Sequence, residues 1–404
     1  MPALPSTPTR TESGLTESPT SRVGEELVIR DARRRQRRRW LASSCVIVVL
    51  VVVVVLAVTL SGRSPGVPRR IPHSSPSHRV TTSGPRATEI QPSRPGALAF
   101  GPDGNLYLAD NIRNQVLERL GNGTFQVVAG DGAVGFSGDG GPATKAELNY
   151  PASITFGPGG TLYIADYGNG RIRAVSPAGI ISTVAGSGQG GQGEWVTDGT
   201  QALDAGLLPS AVTFGPDGLM YVASGNEILR LGTGGAFTRV VGNPNGMDEG
   251  LYGVGGPAVD ASADGPNGLA FDKAGNLYIA GSNTKTILMV NSEGTLSVVG
   301  SAYPRGDGGL VTAPDGAVLA MDELEVLELT PRGGRTIVSF PTTYRTSYLG
   351  VTGFSPNGIA VAPNGTVYLD TFYGNGYADR SALVAIAPGG HASLLWTQGP
   401  PKGA

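Results

Sequence analysis

Four aspartates follow short apolar runs and are the side chains best suited to hold a metal ion: Asp110, Asp166, Asp322 and Asp370. Carboxylate oxygens are preferred ligands of Ca²⁺. If the runs are strands around one axis, these carboxylates could ring that axis and bind Ca²⁺, and a metal-assisted lyase or hydrolase could use them. The alternative is that Asp110 and Asp166 accept hydrogen bonds from the turns that follow them, as aspartates commonly do. We favour this alternative and expect no cofactor.

The histidines and the cysteine argue against an enzyme. The chain has three histidines: His73 and His78 lie in a Pro- and Ser-rich segment, and His391 is predicted in a tight turn. No Ser-His-Asp or His-x-Glu arrangement can be assembled from them. Cys45 is the single cysteine and lies in an apolar run, so we expect no disulfide framework and no thiol site. We therefore predict that the chain is not an enzyme.

The thirteen tyrosines fall into two groups. Five occupy one position of a recurring strand pattern, and the other eight lie in longer, irregular segments between strands. Tyr and Trp combine apolar area with a polar tip and are enriched at recognition surfaces. The alternative is that these rings fill gaps between structural units. As candidate anchors for a ligand we select Tyr167, Trp195, Tyr344 and Tyr373.

A repeat must position these residues. Each unit has a marker turn followed by a strand, the first being Pro-Asp-Gly-Asn-Leu-Tyr at 102–107, and the marker glycines lie about 41 to 58 residues apart: Gly104, Gly160, Gly218, Gly275, Gly316 and Gly365. Apolar runs rich in Ile, Val, Tyr and Thr flank each marker and predict strands. Four strands joined by short turns form an antiparallel meander, and the spacing is typical of propeller blades. We predict an all-β, six-bladed β-propeller of four-stranded blades over residues 96–396.

Several motifs strongly resemble the NHL repeat family: GFSGDGGPAT at 135–144, NLYLAD at 105–110, YIAD at 163–166 and NGRIR at 169–173. Later repeats depart from the pattern, with Ser224, Gly281 and Asp322 where Ala-Asp is expected. The resemblance implies a propeller. NHL propellers occur as extracellular sensor domains of actinobacterial receptor Ser/Thr kinases, and in adhesion, scaffold and lyase proteins. The arrangement is similar to those receptors without the kinase, because the chain has no Asp-Phe-Gly or His-Arg-Asp motif.

The connections between strands are long on one side only. In a meander the second-to-third and blade-to-blade connections emerge on one face, which we call the long-loop face. These connections are predicted at 130–151, 186–210, 242–267, 300–309, 340–357 and Asp370–Ser381. Because long loops on a rigid scaffold usually carry function, we expect a ligand to bind over the axial mouth of this face.

Residues Leu41–Leu60 form an uncharged apolar run of twenty residues. A helix of this length, at about 1.5 Å per residue, spans a bilayer core of roughly 30 Å. Six arginines lie just before it, so the positive-inside rule places the N-terminus in the cytoplasm: Arg33, Arg34, Arg35, Arg37, Arg38 and Arg39. A cleaved signal peptide would have a shorter apolar core and an Ala-x-Ala site. We predict a transmembrane signal anchor at 40–61, with everything after it outside the cell.

The remaining segments have compositions unlike that of the propeller. We predict a disordered basic cytoplasmic tail at 1–39, a Pro/Ser/Arg-rich extracellular stalk at 62–95 and a C-terminal tail at 397–404. Residues 96–396 contain 14 Arg and Lys against 26 Asp and Glu, a net charge of −12, which disfavours nucleic acid. The expected partners are the lipid bilayer, through residues 41–60, and an extracellular protein, peptide or glycan. The scarcity of lysine among the basic residues indicates a bacterial source.

Overall fold

The computed structural model describes residues 90–93, 95–189, 195–243, 251–301, 309–322, 325–339, 355–373, 380–388 and 390–397. All of them belong to one unit, Pro85–Ala404. No helix within these ranges is long and apolar enough to cross a membrane, and the predicted anchor at 40–61 lies outside them.

The described residues form six antiparallel sheets, each of four strands in chain order. The first three blades comprise β1 (Pro95–Phe100), β2 (Leu106–Asp110), β3 (Gln115–Arg119) and β4 (Phe125–Ala129); β5 (Pro151–Phe156), β6 (Leu162–Asp166), β7 (Arg171–Val175) and β8 (Ile181–Ala185); and β9 (Pro209–Phe214), β10 (Met220–Ser224), β11 (Glu227–Leu231) and β12 (Phe237–Val241).

The other three blades comprise β13 (Pro266–Phe271), β14 (Leu277–Gly281), β15 (Thr286–Val290) and β16 (Leu296–Ser301); β17 (Leu310–Thr312), β18 (Val318–Asp322), β19 (Glu325–Thr330) and β20 (Gly333–Ser339); and β21 (Ser355–Val361), β22 (Val367–Tyr373), β23 (Arg380–Ile386) and β24 (Ala392–Thr397). The sixth blade carries all four of its own strands, as predicted. The β22 strand continues to Tyr373, three residues beyond Asp370, where the sequence predicted a loop to begin.

The first strand of each blade lies nearest the axis. All six line a central channel of about 250 Å³. Neighbouring first strands contact each other around the ring, and β1 packs against both β5 and β21. Six clusters of buried apolar side chains lie between successive blades, including one between blades 6 and 1. The predicted six-bladed propeller is therefore confirmed.

The tyrosine of the marker joins neighbouring blades. Tyr107 packs edge-to-face on Phe156 of the next blade, with ring centroids 4.8 Å apart, and its hydroxyl donates to Asp103 Oδ2 at 2.9 Å. Equivalent pairs recur between blades 2 and 3 and between blades 3 and 4. Tyr368 of blade 6 packs on Phe100 of blade 1, at 5.1 Å, and so repeats the contact across the closure. Packing between the first and last blades closes the ring, as predicted.

The long connections into blades 2, 3 and 4 are mostly structural. In the first, Gly130 N donates to the Ala143 carbonyl, and Ala143 N donates to the Gly179 carbonyl at the far end of blade 2. The segment therefore lies between the outer strands β4 and β8, and a turn of 3-10 helix at Ala143–Lys145 packs against β4. Turns at Ala202–Asp204 and Ala258–Asp260 occupy the equivalent gaps. The described parts of these connections fill the space between diverging blades and are not free loops on one face.

Candidate ligand-binding site

The aspartates at the ends of the second strands hold the chain that enters each blade. Asp166 Oδ1 accepts a hydrogen bond from Asn149 N at 2.8 Å, just before β5 begins at Pro151. Asp110 Oδ2 accepts from Ser93 N at 2.5 Å, just before β1. In blade 3 the hydroxyl of Ser224 replaces the carboxylate and accepts from Leu208 N at 2.9 Å. Since all three acceptors are buried, these hydrogen bonds fix the entry of the first strand.

The other two candidate metal ligands occupy equivalent strand ends. Asp370 is fully buried and pairs in register with Gly358, whereas Asp322 is half-buried at the end of β18. Across the described ranges, His, Cys, Asp and Glu side chains form no group of three that could hold a metal ion. His391 is exposed in the turn between β23 and β24, with Nδ1 3.0 Å from the Ala392 carbonyl.

Blade 4 supplies the equivalent carboxylate from a different position. Gly281 ends β14, and a Cβ atom there would lie 2.5 Å from Asp264 Oδ2. Asp264 precedes the first strand of this blade and adopts a positive φ of 61°. Its Oδ2 accepts hydrogen bonds from Thr284 N at 3.2 Å and from Thr286 Oγ1 at 2.9 Å. Blade 4 therefore keeps a carboxylate at this site, but Asp264 supplies it in place of the residue that ends β14.

This relocation gives a prediction for a double-mutant cycle. Gly281→Asp should lower the free energy of unfolding by about 2–3 kcal/mol, because the new side chain meets the buried Asp264. Adding Asp264→Gly should recover part of the loss, with a coupling energy of about 1–2 kcal/mol, because one carboxylate then occupies the site as in blades 1 and 2. Urea denaturation of the three variants measures this energy. If the losses of stability in the two single variants add up to the loss in the double variant, Asp264 does not supply the equivalent carboxylate.

Arg173 joins the connection into blade 2 to the end of β6. Its side chain is fully buried, and Nη2 donates to Asp139 Oδ1 at 2.8 Å and to the Ser137 carbonyl at 3.0 Å. Nη1 donates to Asp166 Oδ2 at 3.3 Å. The guanidinium also lies over the Phe136 ring, 4.9 Å from its centroid. Arg173 therefore anchors the Gly-Phe-Ser-Gly-Asp motif.

The electrostatics of Asp166 follow from the same contacts. Burial raises the pKa of this carboxyl group above its ordinary value. Hydrogen bonds from Asn169 Nδ2 and Asn149 N, both at 2.8 Å, oppose that shift, as does the positive charge of Arg173. These donors and the charge of Arg173 thus stabilise the ionised form of a carboxyl group that burial would otherwise disfavour.

Trp195 takes part in a second arginine cluster, in blade 3. Arg239 Nε donates to Glu227 Oε2 at 2.9 Å, and Nη2 donates to the Val196 carbonyl at 2.6 Å. The Trp195 ring is half-buried, with the Arg239 guanidinium 5.6 Å from its centroid. A Cβ atom at Gly242 would lie 2.7 Å from the same ring. This packing fits the alternative that Trp195 fills a gap in the structure.

Tyr167 lies beside an aromatic residue that was not selected from the sequence. Tyr167 begins the 3-10 turn after β6, and Tyr150 directly precedes β5. Their rings are 6.0 Å apart at an interplanar angle of 64°, and each side chain is 39% exposed. A tyrosine immediately before the proline that begins a first strand was the available sequence signal.

The two tyrosines line a cavity of about 420 Å³ on the long-loop face. Its other walls come from the starts of the first strands and the ends of the second strands of blades 3 and 4, and include Leu208, Ser210, Asn267 and Ser282. None of the described residues lining it is charged. The volume falls within the range of roughly 300–1,000 Å³ typical of small-molecule sites.

Of the four candidate anchors, the structure describes the side chains of Tyr167 and Trp195, which lie in different surroundings. Tyr167 lines the cavity, and Trp195 packs on Arg239. Tyr373 pairs with Arg380 in the β22–β23 ladder, and Tyr344 lies outside the described residues. The geometry therefore groups Tyr167 with Tyr150.

Comparison with known families identifies a teneurin-like segment. Residues 126–176 match the family described as Teneurin NHL domain. Teneurin-3 of Danio rerio is 29% identical over 276 residues, 56% of this chain and 10% of that protein. Teneurin-1 of Gallus gallus is 42% identical over 93 residues, 20% of this chain and 3% of that protein. The chain thus spans a tenth or less of these two relatives.

Solved structures with similar coordinates share little sequence. A catalytically inactive virginiamycin B lyase from Staphylococcus aureus with quinupristin has a TM-score of 0.47 and 13% identity, covering 76% of this chain and 86% of that chain. Regucalcin, a calcium-binding protein from Agrobacterium tumefaciens, has a TM-score of 0.45 and 14% identity, covering 69% and 83%. Such likenesses carry no argument about activity or metal binding. The family match, the teneurin relatives and the six four-stranded blades together confirm the predicted resemblance to NHL-repeat β-propellers.

Proposed function

We propose that this chain is a membrane-anchored, extracytoplasmic NHL-type propeller that binds a ligand on its long-loop face and catalyses no reaction. The observation that carries the proposal is the cavity lined by Tyr150 and Tyr167. Aromatic side chains are frequent anchors in binding sites, since they combine large contact area with few rotatable bonds. The fold supplies the rigid scaffold on which such sites are usually built.

The conformation of Tyr150 also supports binding in this cavity. Its φ of 53° lies in the left-handed region, which aromatic residues seldom adopt. Asn114, itself at a φ of 51°, holds this backbone by accepting a hydrogen bond from Tyr150 N at 2.9 Å. Unusual backbone conformations cluster at ligand sites, where they orient side chains in advance. In this position Tyr150 presents an exposed ring to the cavity.

Tyr167→Ala should weaken ligand binding by about 2 kcal/mol, because it removes an anchor ring from the cavity. The free energy of unfolding should change by less than about 1 kcal/mol, since the ring is half in solvent. Chemical denaturation and a binding titration with the ligand, once it is found, measure the two quantities.

Ile180→Ala is a matched control for this experiment. Ile180 is 41% exposed and lies at the tight turn between β7 and β8, on the opposite face. The Ile180→Ala variant should bind the ligand with the affinity of the unmodified chain. Lost stability with unchanged affinity in Tyr167→Ala would show that this ring only supports packing.

The membrane part of the proposal rests on residues 41–60 and the arginines before them. Protease added to intact cells should cut the predicted stalk at 62–95, before the residues from Gln91 on that contact the last blade, and release the propeller, because the anchor leaves both outside. Immunoblotting of the medium with an antibody to the propeller measures the release. If the propeller is reached only after cell lysis, the proposed orientation is wrong.

A further inference from the structure

We propose that the Tyr150–Tyr167 cavity binds an uncharged saccharide. This inference rests on the proposed function and specifies its ligand class. Three features of the lining carry it: the hydrogen-bonding roles left to its two serine hydroxyl groups, the absence of charge among its described residues, and the geometry of its two rings.

The serine hydroxyls of the cavity have already used their hydrogens. Ser210 Oγ donates to the Pro266 carbonyl at 2.5 Å, and Ser282 Oγ donates to the Gly265 carbonyl at 2.7 Å. A serine hydroxyl has one hydrogen and two acceptor lone pairs, so both groups can only accept from a ligand. At these two positions a complementary ligand must therefore bring donors, which sugar hydroxyl and amide groups supply. Carboxylates and phosphates bring acceptors only.

The lack of charge in the lining also favours an uncharged ligand that brings hydrogen-bond donors. None of the described residues that line the cavity is charged. A charged group taken from water into such a site would lose hydration without gaining a counter-charge, which is unfavourable. This disfavours acidic saccharides and basic peptides alike, and leaves neutral donors.

The rings and the apolar wall suit a sugar ring. Tyr150 and Tyr167 meet edge-to-face, and each residue is 39% exposed where it lines the cavity. A pyranose has C–H surfaces that pack on an aromatic face and hydroxyl groups around its edge. Leu208 and Pro266 add apolar area near the accepting serines. The cavity thus combines apolar surface with hydrogen-bond acceptors, as a saccharide requires.

The test uses the purified full-length chain in detergent on an array of immobilised glycans. The array holds neutral oligosaccharides of hexoses and N-acetylhexosamines, together with uronic-acid and sulfated oligosaccharides. We expect retention by at least one neutral glycan and by none of the acidic ones. Tyr167→Ala should weaken that retention at least tenfold, Ser282→Ala should weaken it measurably, and Ile180→Ala should not change it. Thermal unfolding of each variant confirms that it is folded.

The outcomes separate this inference from the proposed function. Retention by acidic glycans alone, or by none, overturns the saccharide inference. If the chain then binds secreted proteins or peptides in a manner sensitive to Tyr167→Ala, the proposed function remains and only the ligand class is wrong. If folded Tyr167→Ala binds every ligand of the unmodified chain equally well, both proposals are wrong.

Discussion

Arg173→Met is expected to lower the free energy of unfolding by about 3–5 kcal/mol, because removing one partner of a buried ion pair leaves an uncompensated charge. Methionine is similar in length but cannot donate these hydrogen bonds. Asp166, Asp139 and the Ser137 carbonyl therefore each lose the hydrogen bond from Arg173. Because Asp166 is fully buried, water cannot replace the hydrogen bond and the positive charge that it loses. Urea denaturation at pH 7 measures the loss.

The same substitution should make stability depend more strongly on pH. Burial already raises the pKa of Asp166, and losing the nearby positive charge raises it further. Between the ordinary carboxyl value and this raised value, the folded variant holds a proton that the unfolded chain has released. Its stability therefore falls as pH rises through that window. The destabilisation relative to the unmodified chain should be larger at pH 7 than at pH 4.

Arg335→Met is the matched control, because Arg335 pairs with Glu328 on the surface, where its side chain is 72% exposed. Exposed pairs contribute about 0–1 kcal/mol. This variant should unfold almost as the unmodified chain does. A loss in Arg173→Met that is equal at both pH values would contradict the assigned role of Asp166.

Removal of residues 1–94 is expected to destabilise the propeller by about 3–4 kcal/mol, whereas removal of residues 1–84 should have little effect. Residues Ile90–Ser93 hold the junction between the first and last blades. Trp396 Nε1 donates to Gln91 Oε1 at 2.6 Å, and Ser381 Oγ donates to the Ser93 carbonyl at 3.1 Å. The estimate combines about 1 kcal/mol for each such hydrogen bond with lost apolar burial.

Two further contacts of this segment support that value. Ile90 forms a bridge with Phe125 of β4 and packs with Trp396 in the cluster between blades 6 and 1. Ser93 N is a donor to the buried Asp110, whose carboxylate loses that hydrogen bond on truncation. Thermal unfolding of the two truncated chains should differ by about 6 °C or more, at roughly 2 °C per kcal/mol for a domain of this size. Equal midpoints would show that blades 1 and 6 hold together without the segment.

A point substitution tests the same junction in the full-length chain. Gln91→Ala removes the acceptor of the Trp396 indole and leaves the backbone in place, so we attribute about 1 kcal/mol of the truncation effect to it. The neighbouring contacts account for the remainder.

The sequence by itself determined the repeat and the blade. The marker turns need a glycine with positive φ, as Gly104 has at 78°, and the apolar alternation of the strands around them requires a half-buried sheet. These are local constraints, so they can be read in one unit and counted along the chain. The motifs at 105–110, 135–144, 163–166 and 169–173 carried the family resemblance for the same reason. The expectation that Asp166 accepts hydrogen bonds from the turn that follows it is confirmed, because Asn169 Nδ2 donates to it. The second donor, Asn149 N of the chain entering blade 2, was not anticipated.

Only the tertiary structure decided what the long connections and their aromatics do. Trp195 resembles an exposed loop residue in sequence, but it is half-buried and packs on Arg239, which is distant in the chain. Phe136 stays exposed, yet it lies beside the buried guanidinium of Arg173. The relocation of a carboxylate to Asp264 depends on space left at Gly281, which no local pattern records. The Tyr150–Tyr167 cavity needs the starts and ends of strands from three blades at one edge. Contacts between units separated by about fifty residues arise from the closure of the ring, and the local sequence does not encode their geometry.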